Sequence, residues 1–214
     1  MSPLYPSAVL FDLLTALLDS WTLWNEVAGS ERQGRAWRAE YLRRTYACGD
    51  YQPYEQLVRE SARTAGLDAA APASLQARWL ELRPWSGAQA TLDALQGKTK
   101  LGVVTNCSVQ LGQLAASRLN VTWDCVVTAE EAGAYKPDPR PYRLALAKLG
   151  VDASQAVFVA GSGYDLKGTS VVGLRTYWHN RIGLQRPDGA PLADAEERTL
   201  EPLLDWLTSV GSRR

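Results

Sequence analysis

The chain has 214 residues, 46% hydrophobic and 21% charged, which supplies a sizeable core and excludes wholesale disorder. Lys+Arg and Asp+Glu both total 23, so the formal net charge is zero and nothing favours a nucleic-acid partner. Three widely spaced cysteines (Cys48, Cys107, Cys125) and a single histidine, His179, argue against a disulfide or zinc framework and leave little for a His-based catalytic triad.

In chain order, "AVLF" (Ala8 to Phe11) reads as a buried strand ended by Asp12. From Leu17 to Arg83 only helix signals occur: "LLDSWTLWNEVAG", a long stretch opened by a Ser30/Gln33 capping box, "YEQLVRESARTAG" and "SLQARWLEL". "DAAAPAS" (Asp68 to Ser74) reads as a loop between them. The charges of "WRAEYLRR" read mostly as a solvated helix face. A helix then starts at a Ser86/Gln89 capping box and stops at Gly97. The strand candidates "LGVVTN", "CVVTAE", "AVFVAGS" and "LRTYWHN" follow, with a helix in "PRPYRLALAKLG"; "EPLLDWLTSV" is a last amphipathic helix and "SRR" a frayed end. Strand and helix in alternation indicate an α/β fold, a Rossmann-like parallel sheet with helices on both faces. The expected division is a core of residues 1–16 and 84–214 with an all-helical cap of residues 17–83 inserted after the first strand.

Ligands of open parallel sheets bind beyond the carboxyl ends of the strands. Those ends deliver Asp12, then Thr105, Asn106, Cys107 and Ser108, then Lys136 in "YKPDP", then Gly161, Ser162 and Asp165. Each has an ordinary reading by itself: Asp12 and Asp165 as helix caps, Thr105 and Asn106 as turn residues, Lys136 as a surface lysine. Together they form a coherent set, in which Asp12 is a nucleophile kept ionised by Lys136.

"VLFDLLTALLD", "VVTNCS", "AYKPDPRPY" and "FVAGSGYDLKG" resemble the four motifs of the haloacid dehalogenase superfamily of hydrolases, and more closely its 2-haloacid dehalogenase branch. "TYWHNR" is similar to the stretch that branch carries in its last core strand, and "AWRAEYL" to its cap helix. The resemblance implies a Rossmann-like core with a helical cap and the active site between them. It implies Asp12 as nucleophile, forming an ester intermediate on a small 2-halocarboxylate, with Lys136 as its charge partner and Asp165 positioning or activating water. Thr105 and Asn106 would bind the substrate carboxylate, Arg38 with Asn106 would receive the halide, and Tyr142, Ser162 and Leu14 would line the site. It also implies a homodimer.

Leu14 stands where metal-dependent phosphatases of this superfamily place a second aspartate, a general acid for a leaving alcohol. Gly161 stands where they carry a magnesium-binding acid. A dehalogenase needs neither, so no cofactor is expected, and Mg²⁺ belongs only to the alternative of a small-molecule phosphatase. A catalytically weakened member acting as a binding protein is the third reading. Departures from the dehalogenase pattern are Ala16 where threonine is usual, with Thr15 one place early, and Ala160-Gly161-Ser162 in the fourth motif. No apolar run is long enough to span a bilayer and "MSPLYPS" lacks the regions of a signal peptide, so no membrane partner and a cytoplasmic location are expected. Among the tryptophans, Trp21, Trp24 and Trp37 are candidates for the pocket wall, Cys107 carries no mark of an activated thiolate, and His179 closes a strand end.

Overall fold

The computed structural model describes residues 5–211. Met1–Leu4, part of the stretch read for a leader, and Ser212–Arg214, read as a frayed end, lie outside the described residues. The strands are β1 (Ala8–Phe11), β2 (Lys100–Thr105), β3 (Cys125–Thr128), β4 (Ala156–Ala160), β5 (Arg175–His179) and β6 (Ala195–Glu197). They form one parallel sheet in the order β3-β2-β1-β4-β5-β6. Alternate residues of a strand point to opposite faces, and here each face has its own core. Val9, Phe11, Val103, Val157 and Val159 enter one, while Leu10, Val104, Phe158 and Trp178 enter the other.

The helices in chain order are α1 (Ser20–Val27), α2 (Glu31–Ala47), α3 (Tyr54–Thr64), α4 (Ala71–Ala77), α5 (Ala88–Leu95), α6 (Val109–Ala116), α7 (Ala129–Ala132), α8 (Pro139–Leu149), α9 (Asp165–Val172) and α10 (Leu203–Gly211). All of α1 to α5 lie between β1 and β2 in sequence, and the first four make up the helical segment. The chain leaves for them and returns through a neck in which Asp19 N donates to Arg83 O and Trp85 N to Leu17 O, both at 2.8 Å. The helical segment is fastened to the sheet. One apolar cluster runs from Leu23, Trp24 and Trp37 through Trp79 to Val9 and Phe11, so burying these side chains drives both folding and docking. Trp79 Nε1 donates to Leu111 O at 2.9 Å and Tyr41 Oη to Asn106 O at 2.9 Å, which satisfies the polar ends of those buried rings.

Four local expectations need correction. α4 begins at Ala71, inside the segment read as a loop; Pro72 sits in its first turn, where no backbone N–H is required, and alanines favour the helix. Ser86 does not cap α5. Gly87 takes that place at φ +84°, a left-handed conformation that suits glycine, and Gln89 Nε2 instead donates to Asp93 Oδ1 and Asn120 O. The strand read through Glu130 stops at Thr128, whose hydroxyl accepts from Glu131 N and opens α7. β6 carries no apolar signal: "AEE" is mostly exposed, and only pairing with β5 makes it a strand.

Candidate active site

Asp12 leaves the sheet with its N–H still in the ladder, donating to Val159 O at 2.9 Å. The chain then tightens at once into a π turn, Leu13–Leu17. That turn presents donors to the carboxylate: Oδ2 accepts from Thr15 N at 2.8 Å, Thr15 Oγ1 at 2.6 Å and Ala16 N at 3.0 Å. The other oxygen, Oδ1, accepts from Lys136 Nζ at 2.8 Å. One oxygen of Asp12 thus caps the turn while the other pairs with the Lys136 ammonium.

Lys136 reaches a second carboxylate, Asp165 Oδ1, at 3.1 Å, and Tyr142 Oη donates to that same oxygen at 2.8 Å. Asp12, Lys136 and Asp165 are only 6%, 4% and 4% exposed, so their charges are sustained by one another and not by water. Burial pushes the Asp12 carboxyl up, but the Lys136 charge and the hydrogen bonds from Lys136 and Thr15 outweigh it and hold Asp12 below the usual carboxylate range. Burial pushes Lys136 down, and the two carboxylates more than reverse this, keeping it cationic. Asp165 goes the other way. Burial raises it, the nearby Asp12 charge adds to that, and Lys136 and Tyr142 only partly offset them. Two aspartates on one ammonium thus have their affinities for protons pushed apart, the pattern of a nucleophile beside a base.

The π turn is anchored through its carbonyls by three side chains from distant places. Leu14 O accepts from Ser20 Oγ at 2.5 Å, Thr15 O from Trp85 Nε1 at 3.0 Å, and Ala16 O from His179 Nδ1 at 2.8 Å. The last contact assigns the proton to Nδ1. His179 ends its strand, as expected, and there braces the nucleophile's turn. Gly161 completes the arrangement, since a Cβ on it would stand 2.2 Å from Thr15 Oγ1 and 2.3 Å from Ala16 N. Thr15 one place early and glycine in the fourth motif are one adjustment: the turn that aims the Thr15 hydroxyl at Asp12 occupies the space a side chain at 161 would need.

Above this floor lies a cavity of about 180 Å³ lined by Asp12, Lys136, Asp165, Asn106, Ser162, Leu14 and Arg38, among others. Arg38 is 8% exposed and stacks 4.1 Å from the centre of the Trp21 ring, with Nη1 donating to Ser20 Oγ at 2.9 Å. Burial lowers its proton affinity, yet a guanidinium remains charged at any working pH. Among the described residues no carboxylate forms an ion pair with it. A buried, stacked cation without an anionic partner is a ready anion site.

Two residues expected on the substrate side are elsewhere. Thr105 is fully buried, with Oγ1 3.7 Å from Cys107 Sγ, because its place on β2 turns it toward α6 and away from the cavity. Tyr142 is also fully buried and acts on Asp165 from behind. Asn106 lines the cavity, but its side-chain amide is engaged with Lys136: Nδ2 donates to Lys136 O at 3.0 Å and Oδ1 accepts from Lys136 N at 2.7 Å. Its present work is to fix the lysine. Trp21 lines the cavity, whereas Trp24 and Trp37 pack on each other at 4.5 Å in the core. Burial pushes the Cys107 thiol up to about 12, as suits an inert cysteine.

Leu42, Tyr46, Tyr164, Leu184 and Pro187 form part of the cavity wall and were not foreseen. Two had a signal: Leu42 and Tyr46 follow Arg38 at steps of four along α2, hence on its face. Leu184 and Pro187 had none, since they come from the loop after β5.

An aspartate, a lysine and a second aspartate converge at the carboxyl edge of a Rossmann-like sheet, beneath a helical segment, in the arrangement of an α/β hydrolase. The family model of the haloacid dehalogenase-like hydrolases matches residues 8–173, and the chain belongs to that family. The (S)-2-haloacid dehalogenase of Pseudomonas sp. (strain YL) is 29% identical over 98% of this chain and 97% of its own. A dehalogenase of known crystal structure superposes with a TM-score of 0.83 at 25% identity, covering 97% of this chain and 99% of the other. The pyrimidine 5'-nucleotidase YjjG of Escherichia coli (strain K12) is 32% identical, but over only 50% of this chain and 49% of its own. The full-length likenesses support the 2-haloacid dehalogenase-like branch. Among the described residues no helix is long and apolar enough to cross a membrane.

Proposed function

We propose that this hydrolase displaces halide from a 2-halocarboxylate of the (S) series, with Asp12 as nucleophile and no metal. The observation that carries the reading is the buried Asp12–Lys136–Asp165 cluster facing the unpaired Arg38 across a cavity whose wall at position 14 is leucine. Asp12 Oδ2 is held by three donors, which leaves Oδ1 to attack the carbon bearing the halogen. The carbon–halogen bond breaks with its electron pair leaving on the halide, and Arg38 receives that anion. An anionic leaving group needs a cation and no proton, so Leu14 loses nothing and adds a dry wall. Water then adds to the carboxyl carbon of the Asp12 ester, giving one proton to Asp165, whose raised proton affinity suits a base. The adduct collapses by breaking the bond from that carbon to the ester oxygen, which takes the proton back from Asp165, and Asp12 sheds the remaining proton to return to its carboxylate. The products are the 2-hydroxy acid, inverted at the reacting carbon, and regenerated Asp12.

The phosphatase reading is favoured by the half-length likeness to a nucleotidase, and the donor set does not fit it. Magnesium takes oxygen ligands in near-octahedral array. Asp12 and Asp165 both spend an oxygen on the Lys136 ammonium, and Leu14 and Gly161 supply no further carboxylate.

Halide release from each enantiomer of 2-chloropropionate, with EDTA present and Asp12→Asn in parallel, tests the reading. Release from the (S) form alone, lost in the variant, is expected; release that requires added Mg²⁺, or none from either enantiomer, overturns it.

A further inference from the structure

The cavity is larger than a three-carbon acid needs. A 2-halopropionate has about six non-hydrogen atoms, as benzene has, and a dry cavity of roughly 150 Å³ already holds benzene. The charged groups of this cavity are on its floor and at Arg38, while its mainly apolar end is formed by Leu42, Leu184, Pro187 and the rings of Tyr46 and Tyr164, with Gln185 also in the lining. A methyl side chain leaves that apolar end to water. Water there would also weaken the electrostatics at Asp12, because a dry site strengthens every charge interaction inside it.

The wall at this end is one side chain thick. The rings of Tyr46 and Tyr164 pack with centroids 4.4 Å apart and planes 31° apart. Leu42, Tyr46 and Tyr164 line the cavity and also an outer groove of about 440 Å³ shared with Ala39, Arg43 and Ala47. The tyrosine pair therefore stands between the apolar end of the cavity and the outer groove and limits how long an occupant can be.

Resting on the dehalogenase reading, we propose that the acid taken by this site carries an apolar side chain longer than methyl, seated against Tyr46 and Tyr164, with these two rings setting the upper length. Each methylene that enters the apolar end leaves water, which corresponds to about a three- to four-fold gain in binding. Because the side chain packs equally in the ground and transition states, the gain falls on KM more than on kcat.

The test is the kcat/KM series for 2-bromopropionate, 2-bromobutyrate, 2-bromohexanoate and 2-bromooctanoate, in the native enzyme, Tyr46→Ala and Leu42→Trp. Binding of the unhalogenated acids is followed in parallel by quenching of tryptophan fluorescence, since Trp21 lines the cavity. In the native enzyme kcat/KM rises about three- to four-fold per methylene from propionate and turns down at the longest acid. Tyr46→Ala joins cavity and groove and moves the optimum to the longest acid; Leu42→Trp moves it to shorter ones. If Tyr46→Ala does not fold, the native series and Leu42→Trp still decide. Halide release with a flat or falling series overturns the proposal and leaves the dehalogenase reading intact. No release from any acid, with binding that still rises with length, overturns the reading and leaves the apolar acid pocket. Neither release nor a rising binding series overturns both.

Discussion

The floor of the cavity and its outer wall are built by different physics. On the floor every charged group has a named partner: Asp12 with four donors, Lys136 with two carboxylates and Asp165 with an ammonium and a phenol. The wall has none of this. Leu42, Tyr46 and Tyr164 are half-buried and meet by ring and aliphatic contact, with the strength of apolar packing and its tolerance of substitution. A hydrogen-bonded floor cannot shift by a fraction of an ångström without leaving a buried charge exposed to its own desolvation cost. A packed wall can. Floor residues are therefore expected to set whether the reaction occurs, and wall residues which acid undergoes it.

The sharpest break of that contrast is Lys136→Met. It leaves two buried carboxylates without a counter-ion, so at least one takes up a proton. Turnover should fall by about 10²–10³ or more. Unfolding by urea should show a loss of about 3–5 kcal/mol, the usual consequence of removing one partner of a buried pair. A variant with native stability and native turnover would mean that the cluster does not hold Asp12 ionised.

Gly161→Ser comes next. The added Cβ meets the backbone of Thr15 and Ala16, and the turn must move its donors off Asp12. A displacement of this size is expected to lower kcat by about 10²-fold, with a smaller change in KM. Combining it with Thr15→Gly, which clears the hydroxyl but not the backbone, should recover only part of the loss.

Tyr142→Phe probes Asp165 through pH. The phenol hydrogen bond favours the carboxylate form, so its loss raises the proton affinity of Asp165 further. Water activation follows the release of halide, so Asp165 is read in kcat and not in kcat/KM. The acid limb of kcat is expected to move to higher pH, and because Asp12 and Asp165 share Lys136, that limb belongs to the pair. A limb that stays in place would remove Asp165 from the role of base.

Ser20→Ala gives the smallest effect. Ser20 Oγ links the Leu14 carbonyl to Arg38 Nη1, and so ties the nucleophile's turn to the anion site on the helical segment. Loss of these neutral or singly charged hydrogen bonds should change kcat/KM by about two- to ten-fold. A larger fall would make Ser20 part of the floor.

Much of the floor was legible because strand ends are. Buried parallel strands announce themselves as short apolar runs, and the segments that follow them start at one edge of the sheet, so Asp12, Lys136 and Asp165 could be brought together without coordinates. Arg38 and Leu14 were legible only through likeness of motif. Thr105 and Tyr142 were misplaced for a geometric reason. A residue can belong to the correct segment and still face the core: one step along β2 changes the side that Thr105 presents, and Tyr142 on α8 reaches Asp165 only from behind. The departures at Thr15, Ala16 and Gly161 carry no visible reason in the sequence; in the fold Thr15 and Ala16 supply the donors to Asp12 and Gly161 leaves room for their turn.

The sequence by itself determined the α/β alternation, the helical segment after the first strand and the identities of the charged groups at the edge of the sheet. These follow from periodicity and from the cost of burying charge, both local properties of the chain. Only the tertiary structure decided which face Thr105 and Tyr142 present, that Ser20, Trp85 and His179 hold the carbonyls of the nucleophile's turn, and that a tyrosine pair closes the cavity. Apart from Ser20, which lies six residues from Leu14, those contacts join residues far apart in sequence, and their geometry is set by packing of the whole core, which no short stretch of sequence encodes.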